Sequence, residues 1–289
     1  MEVFSRIVAD AALLLPLVGV IGLFVGSFLN VVIYRVPEAM QREWRFEAES
    51  FLNPDKDIPP PEPFNIMVPG SRCPHCKTAI KPWHNIPLLG YALIAGKCAA
   101  CKEPISLRYP MIEASTALLG MLVVYLMGPG VTTLFYIALV WTLLVLTMID
   151  IDHQLLPDSI TLWLLWLGLG FNTVFEAVPL ADAVWGAIAG YLSLWSIYWL
   201  FKLATGKEGM GYGDFKLLAA LGAWLGWQAL PLVVVLSSFV GAVLGIAGIL
   251  IQGRDKSQPM PFGPYLAIAG VIALLWGNDI TQHYLRLLG

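Results

Sequence analysis

The sequence predicts an all-α polytopic membrane protein of about eight transmembrane helices, with a polar loop domain inserted after the first span. Three observations predict it. Hydrophobic residues make up 58% and charged residues only 13% of the 289, against roughly 45–50% and 25% in soluble domains. Mean hydropathy is +0.73. The apolar residues also gather into blocks near the 20-residue length a bilayer demands, whereas the interval 35–109 is polar and holds all four cysteines.

Taken in order, the first block, "ADAALLLPLVGVIGLFVGSFLNVVIY" at 9–34, is too long for a signal-peptide core and lacks a small-residue cleavage site after it. It reads as a retained span, and residues 1–34 form the first unit. Residues 35–69, with five prolines between Pro54 and Pro63, read as an irregular approach to a loop domain over 35–109. A transmembrane core over 110–289 follows, with apolar blocks near 111–127, 131–149, 159–175, 183–201, 217–229, 231–252 and 262–277. The pair between Leu217 and Gln252 shares too few residues for two full crossings, so one is expected to be a partial span, broken near "GWQALP" by Gly226 and Pro231. Such a break at membrane depth is tolerated where protein or a watery cavity covers it.

Orientation follows from the basic residues. If 35–109 is cytoplasmic, alternating loops put 15 of the 17 Lys and Arg inside: ten in that segment, then Lys202, Lys207, Lys216, Arg254 and Lys256. Only Arg6 and Arg286 remain outside, a strong positive-inside bias. Topology thus accounts for the basic residues, and with a net charge of −3 and no charge run the chain is not expected to bind nucleic acid.

The cysteines stand as "CPHC" at 73–76 and "CAAC" at 98–101. Two C-x-x-C pairs at this separation match a four-cysteine zinc site, each pair forming a knuckle and the knuckles converging on one metal. Cys73, Cys76, Cys98 and Cys101 are therefore expected to bind zinc. A cytoplasmic segment keeps thiols reduced, which disfavours disulfides. Four thiolates leave no position open for water, so the metal's task is structural.

Asp214 follows three glycines in "GMGYGDFKLL" at 209–218, where one apolar block has ended and the next is about to begin. A carboxylate at membrane depth costs about 2.5–3.5 kcal/mol on insertion scales, so it calls for a partner or a function. The matching cluster is "MIDIDHQLLPDSI", with Asp150, Asp152, His153 and Asp158. Two aspartates on different helices, at matching depth and on one side, would serve an aspartic protease, in which one carboxylate takes a proton from water while the other polarises the scissile carbonyl. Asp152 and His153 read as interface residues, Asp158 as a cap for "SITLWLLW", and Lys207, Glu208 and Lys216 as loop and snorkelling charges.

Taken together, the sequence resembles the type IV prepilin leader peptidase and N-methyltransferase family, membrane aspartic proteases of the G-x-G-D type. The resemblance is carried by "GSFLNVVIYRVP" at 26–37, "CPHC" through "NIPLLGY" to "CAACKEPISLRYPMIE" at 73–113, "IDIDHQLLPD" at 149–158, "GMGYGDFKLLAALGAWLG" at 209–226 and "PFGPYLA" at 261–267. It implies that Asp150, separated by six residues from Pro157, and Asp214 of the G-x-G-D motif are catalytic, and that the cysteines are the family's zinc tetrad. It further implies a multi-pass protein of the bacterial inner membrane that acts on its cytoplasmic face. The expected substrates are prepilins and the pseudopilins of type II secretion, cut after a glycine and then methylated on the new α-amine from S-adenosylmethionine. No strand–G-x-G-x-x-G–helix unit marks a cofactor pocket. Glu113 and the acids of 38–62 either serve that cofactor or border the membrane. Two other readings stay open: a G-x-G-D protease without methyl transfer, and a non-enzymatic transporter or scaffold whose aspartates bind a cation. Carriers usually hold such carboxylates near the bilayer midplane, whereas these lie at span ends.

Overall fold

The computed structural model describes residues 11–252 and 260–288. Arg6, Arg254 and Lys256, three of the charges in the orientation argument, lie outside the described residues. The chain divides into two compact units, residues 1–133 and 134–289.

The first unit is built on α1 (Ala11–Leu52) and α3 (Arg108–Met127), with a short α2 (Leu89–Leu93) in the polar segment between them. The sequence reading ended the first span at Tyr34; the helix instead runs 42 residues and carries Pro16 and Pro37 inside it. At 1.5 Å per residue that is about 63 Å, twice the hydrocarbon thickness of a bilayer, so its C-terminal part must project beyond the membrane. The reason lies in 38–52, where strong helix formers and an i,i+4 pair of Glu38 with Arg42 at 2.8 Å outweigh the proline. Arg42 also lies 4.0 Å over the Phe64 ring, and the buried Arg35 donates to the carbonyl of Asn65 at 3.1 Å. The irregular stretch therefore begins after Leu52 and folds back along the helix.

Helices α1 and α3 approach closely because α1 presents glycine there. A Cβ at Gly22 would stand 2.6 Å from the Ala117 Cα, and one at Gly26 would stand 2.6 Å from the Glu113 Cα. Small residues at such crossings let backbones pack where lipid supplies no hydrophobic drive. Asn30, from the same face, donates to the Tyr109 carbonyl at 3.2 Å.

The second unit holds α4 (Val131–His153), which starts just ahead of it, α5 (Asp158–Phe175), α6 (Leu180–Thr205), α7 (Tyr212–Leu225), α8 (Leu230–Gln252) and α9 (Gly263–Leu288). Helix α7 is its centre: ten of its 14 residues are buried. It packs against α5, α6, α8 and α9. At about 21 Å it cannot cross a 30 Å hydrocarbon layer alone. This is the expected partial span. Gly226, at φ +80°, ends it, but Pro231 sits inside the first turn of α8 rather than at the break.

Crossings with α7 are again glycine-lined. A Cβ on either Gly186 or Gly222 would collide with the other's carbonyl oxygen, and one at Gly168 would stand 2.6 Å from the Trp224 indole. The Trp224 Nε1–H donates to the Leu164 carbonyl at 2.9 Å, while Asn172 donates to the Ala223 carbonyl at 2.9 Å and satisfies the end of α7.

Among the described residues, six helices are long and apolar enough to cross a membrane. Of the eight described helices other than the five-residue α2, six are candidate crossings, against the expectation of about eight spans. Helix α7 is too short, and α5 carries polar residues towards both ends.

Candidate active site and metal centre

Asp150 occupies the last turn of α4 and Asp214 the first turn of α7. They are only 5% and 6% exposed, respectively. Each is held by a glycine N–H. Gly263, which opens α9, donates to Asp150 Oδ2 at 2.9 Å, so this carboxylate caps a helix whose amide dipoles favour a negative charge there. Gly211 donates to Asp214 Oδ2 at 3.2 Å, and Asp214 also lies at the N-terminus of its own helix.

Gly263 and Gly213 leave no room for side chains. A Cβ at Gly263 would stand 2.7 Å from Asp150 Oδ2, and one at Gly213 would stand 2.8 Å from the Leu156 Cβ. Leu156 is buried and also reaches within 3.2 Å of the Gly263 position, so it wedges between the segments that carry the acids. The chain is turned into this position by Gln154, at φ +53°, whose N–H donates to the Asp150 carbonyl at 2.9 Å.

The other acids are arranged differently. Asp152 is exposed. Asp158 does not cap α5 as the sequence suggested: both its oxygens lie 2.7 Å from Lys216 Nζ, and Pro157 holds the cap position. Lys216, expected as a snorkelling charge, is the partner that displaces the cap. Lys202 pairs with Glu208 at 2.8 Å. Gly263 and Leu156 were not identified from the sequence as parts of the site. The "PFGPYLA" block pointed to the first only as a motif, because its contact spans 113 residues.

In the first unit the four sulfurs lie within 4.8 Å of one another. Cys73 and Cys101 are 3.8 Å apart and Cys76 and Cys98 are 3.9 Å apart. A tetrahedral ion with 2.3 Å bonds to sulfur separates its ligands by about 3.8 Å. The two knuckles match in backbone. Cys73 and Cys98 each accept from a residue at positive φ, Lys77 and Lys102, both at 3.0 Å, and each donates to a carbonyl five residues on, those of Thr78 and Glu103. Hydrogen bonds from the Thr78 hydroxyl and backbone bring the Cys76 thiol down to about 6. The backbone of Cys101 and Ala100 lowers Cys98 as well. Four sulfurs this close cannot all ionise without a cation among them, and the cluster fits a metal such as zinc.

Glu113, flagged by the sequence, is buried in α3; it accepts from the Leu88 N–H at 2.8 Å and hydrogen-bonds Ser27 of α1.

Two family models match: the bacterial peptidase A24 N-terminal domain over residues 20–127 and the type IV leader peptidase family over 137–246. Relatives named prepilin leader peptidase/N-methyltransferase match almost end to end: that of Aeromonas hydrophila is 58% identical over 269 residues, 93% of each chain. The chain belongs to the type IV leader peptidase family. Leader peptidases of the same printed name from Stutzerimonas stutzeri, 56% identical over 92% of each chain, and Pseudomonas aeruginosa, 53% identical over 93% of this chain and 92% of its own, agree. No solved structure matches the chain. Both aspartates fall in the segment matched by the second model, and the four cysteines fall in the segment matched by the first.

Proposed function

We propose that this chain cleaves the leader peptide of type IV prepilins and type II secretion pseudopilins at the cytoplasmic face of the inner membrane, and N-methylates the amino terminus so exposed. Asp150 and Asp214 are the water-activating pair. The observation that best supports this is their arrangement: two buried carboxylates from different helices, each fixed by a glycine N–H, on segments that both meet Leu156. Relatives carrying the corresponding name supply the substrate class.

The pair holds one proton between its two carboxyl groups. The ionised member takes a proton from water while the protonated member donates a hydrogen bond to the scissile carbonyl. Water oxygen bonds to the carbonyl carbon. When the resulting diol collapses, the C–N bond breaks, the departing amine takes a proton, and the pair is left sharing one again. Glycine N–H groups at Gly211 and Gly263 keep both carboxylates oriented throughout, which limits reorganisation during the reaction.

Cys73, Cys76, Cys98 and Cys101 hold a structural zinc that folds the loop domain. S-adenosylmethionine supplies an electrophilic methyl group when bound. Its sulfonium and ammonium charges are opposite in sign to the acids of 38–62 and Glu113, and we assign its binding to the polar 35–113 segment, apart from the aspartates. The deciding experiment incubates the purified protein with a prepilin-like peptide, with and without S-adenosylmethionine, and reads the products by mass spectrometry. Cleavage followed by gain of one methyl group is expected. Cleavage alone would select a protease without methyl transfer, and neither product would select a cation-binding scaffold.

A further inference from the structure

We propose that α2, Leu89–Leu93, is a membrane-surface anchor that seats the zinc loop on an anionic phospholipid leaflet. The first observation concerns depth. The Leu88 N–H is bonded to Glu113 Oε2 at 2.8 Å, and Glu113 lies five residues beyond Arg108, the first residue of a helix apolar and long enough to span. That is about 7.5 Å along the axis. The start of α2 is therefore tied to the second turn of a span, within the roughly 5–10 Å over which interfacial helices sink their apolar face.

The second observation is what α2 and its approach expose there. Leu89 and Leu93, one helical turn apart, are 63% and 72% exposed. Ile86 and Trp83 are also exposed, and Lys81 lies over the Trp83 ring at 5.4 Å. An aromatic beside a lysine is the composition of a membrane interface.

Charge gives the third. Between residues 71 and 109 stand Arg72, Lys77, Lys81, Lys97, Lys102 and Arg108 against one acid, Glu103. The preceding 38–62 carries the opposite balance, with seven acids and three bases. The positive sign is confined to the part tied to the span. A juxtamembrane basic segment gains about 1 kcal/mol per Lys or Arg near an anionic surface, and the exposed leucines add apolar burial. A neutral leaflet would reward only the second term.

The bond from Leu88 to Glu113 also explains a strained residue. Leu88 adopts φ 56° and ψ −50°, a conformation a branched side chain rarely takes. Glu113 holds the backbone there, which makes it the positioning residue of the anchor.

The full-length protein is reconstituted in vesicles of phosphatidylglycerol and phosphatidylcholine, with a photoreactive benzophenone residue substituted at Leu93, at Leu118 on the exposed face of α3, or at Ala100 at the tip of a knuckle. Lipid adducts at position 93 should approach those at 118 and exceed those at 100 about fivefold. They should fall in pure phosphatidylcholine or high salt. Glu113→Gln should reduce adducts at 93 while leaving those at 118 and the bound zinc unchanged. Adducts at 93 no higher than at 100 overturn the proposal, as do cross-links to a second copy or to substrate in place of lipid, or a yield indifferent to lipid charge.

Discussion

Asp150 and Asp152 stand two residues apart in one helix and differ in surroundings: the first is buried against the Gly263 N–H and the second is exposed. If the proposed pair is right, Asp150→Asn or Asp214→Asn lowers cleavage by about 10²–10⁴-fold or more while the protein still inserts and folds. Asp152→Asn retains most activity. The reverse pattern in a peptide-cleavage assay would move the role to the other carboxylate. Gly263→Ala tests the support of Asp150 without touching an acid. Its methyl would stand 2.7 Å from Oδ2, so the carboxylate must shift to relieve the contact, and a misplacement of about 1 Å costs on the order of 10²-fold in turnover. Circular dichroism should show the helices intact. Both aspartates were legible in the sequence because a carboxylate at a span end is costly and local motifs mark it. Gly263 was not, since its role depends on a contact that no local pattern encodes, and Asp158 was misread because its competing partner, Lys216, lies 58 residues away.

Among the elements, the crossing of α6 and α7 is set by Gly186 and Gly222, where backbone meets backbone. Gly222→Ala has nowhere to place its methyl and should destabilise the second unit by about 1–3 kcal/mol, seen as a lower melting temperature in detergent. Gly170→Ala in α5 meets no atom within 4 Å, and should be neutral or slightly stabilising, since alanine is the better helix former. The knuckles are testable separately. Cys73→Ser should lose the metal and leave the loop sensitive to protease, because structural zinc contributes folding free energy directly. In the unaltered protein, metal retention should fall with acidification. Cys76, brought from an ordinary thiol value of 9.0 down to about 6, is a ready ligand above that range, and affinity drops as the pH passes below it. Metal analysis across a pH series checks the sign. Helix existence was legible here from apolar blocks, and the shortness of α7 from simple arithmetic on residue number. The extension of α1 to Leu52 was not, because prolines and charges disguise residues whose helix comes from side-chain pairing.

Across the whole molecule, cleavage and methylation are proposed to use different parts of the chain. Asp214→Asn should therefore still methylate a substrate supplied already cut, whereas disruption of the cysteine cluster should impair methylation more than cleavage. Loss of methylation in a folded Asp214→Asn protein would place both activities in one site. The sequence reading drew three segments, 1–34, 35–109 and 110–289, from the changes between apolar and polar composition. The compact units divide at 133/134, with α3 packed on α1 through Gly22 and Gly26, a contact that composition alone does not encode.

The hydrogen bond from Gly263 to Asp150 also has a meaning in time. A chain growing from its amino terminus has both aspartates in place while α9 is still unmade. Until Gly263 arrives, Asp150 lacks the amide that orients it, and the space beside Leu156 is open. On the proposed mechanism the pair would be fully ordered only once α9 docks and supplies that amide. A protease of that design, inserted beside other newly made membrane proteins, would gain a safeguard from its order of assembly.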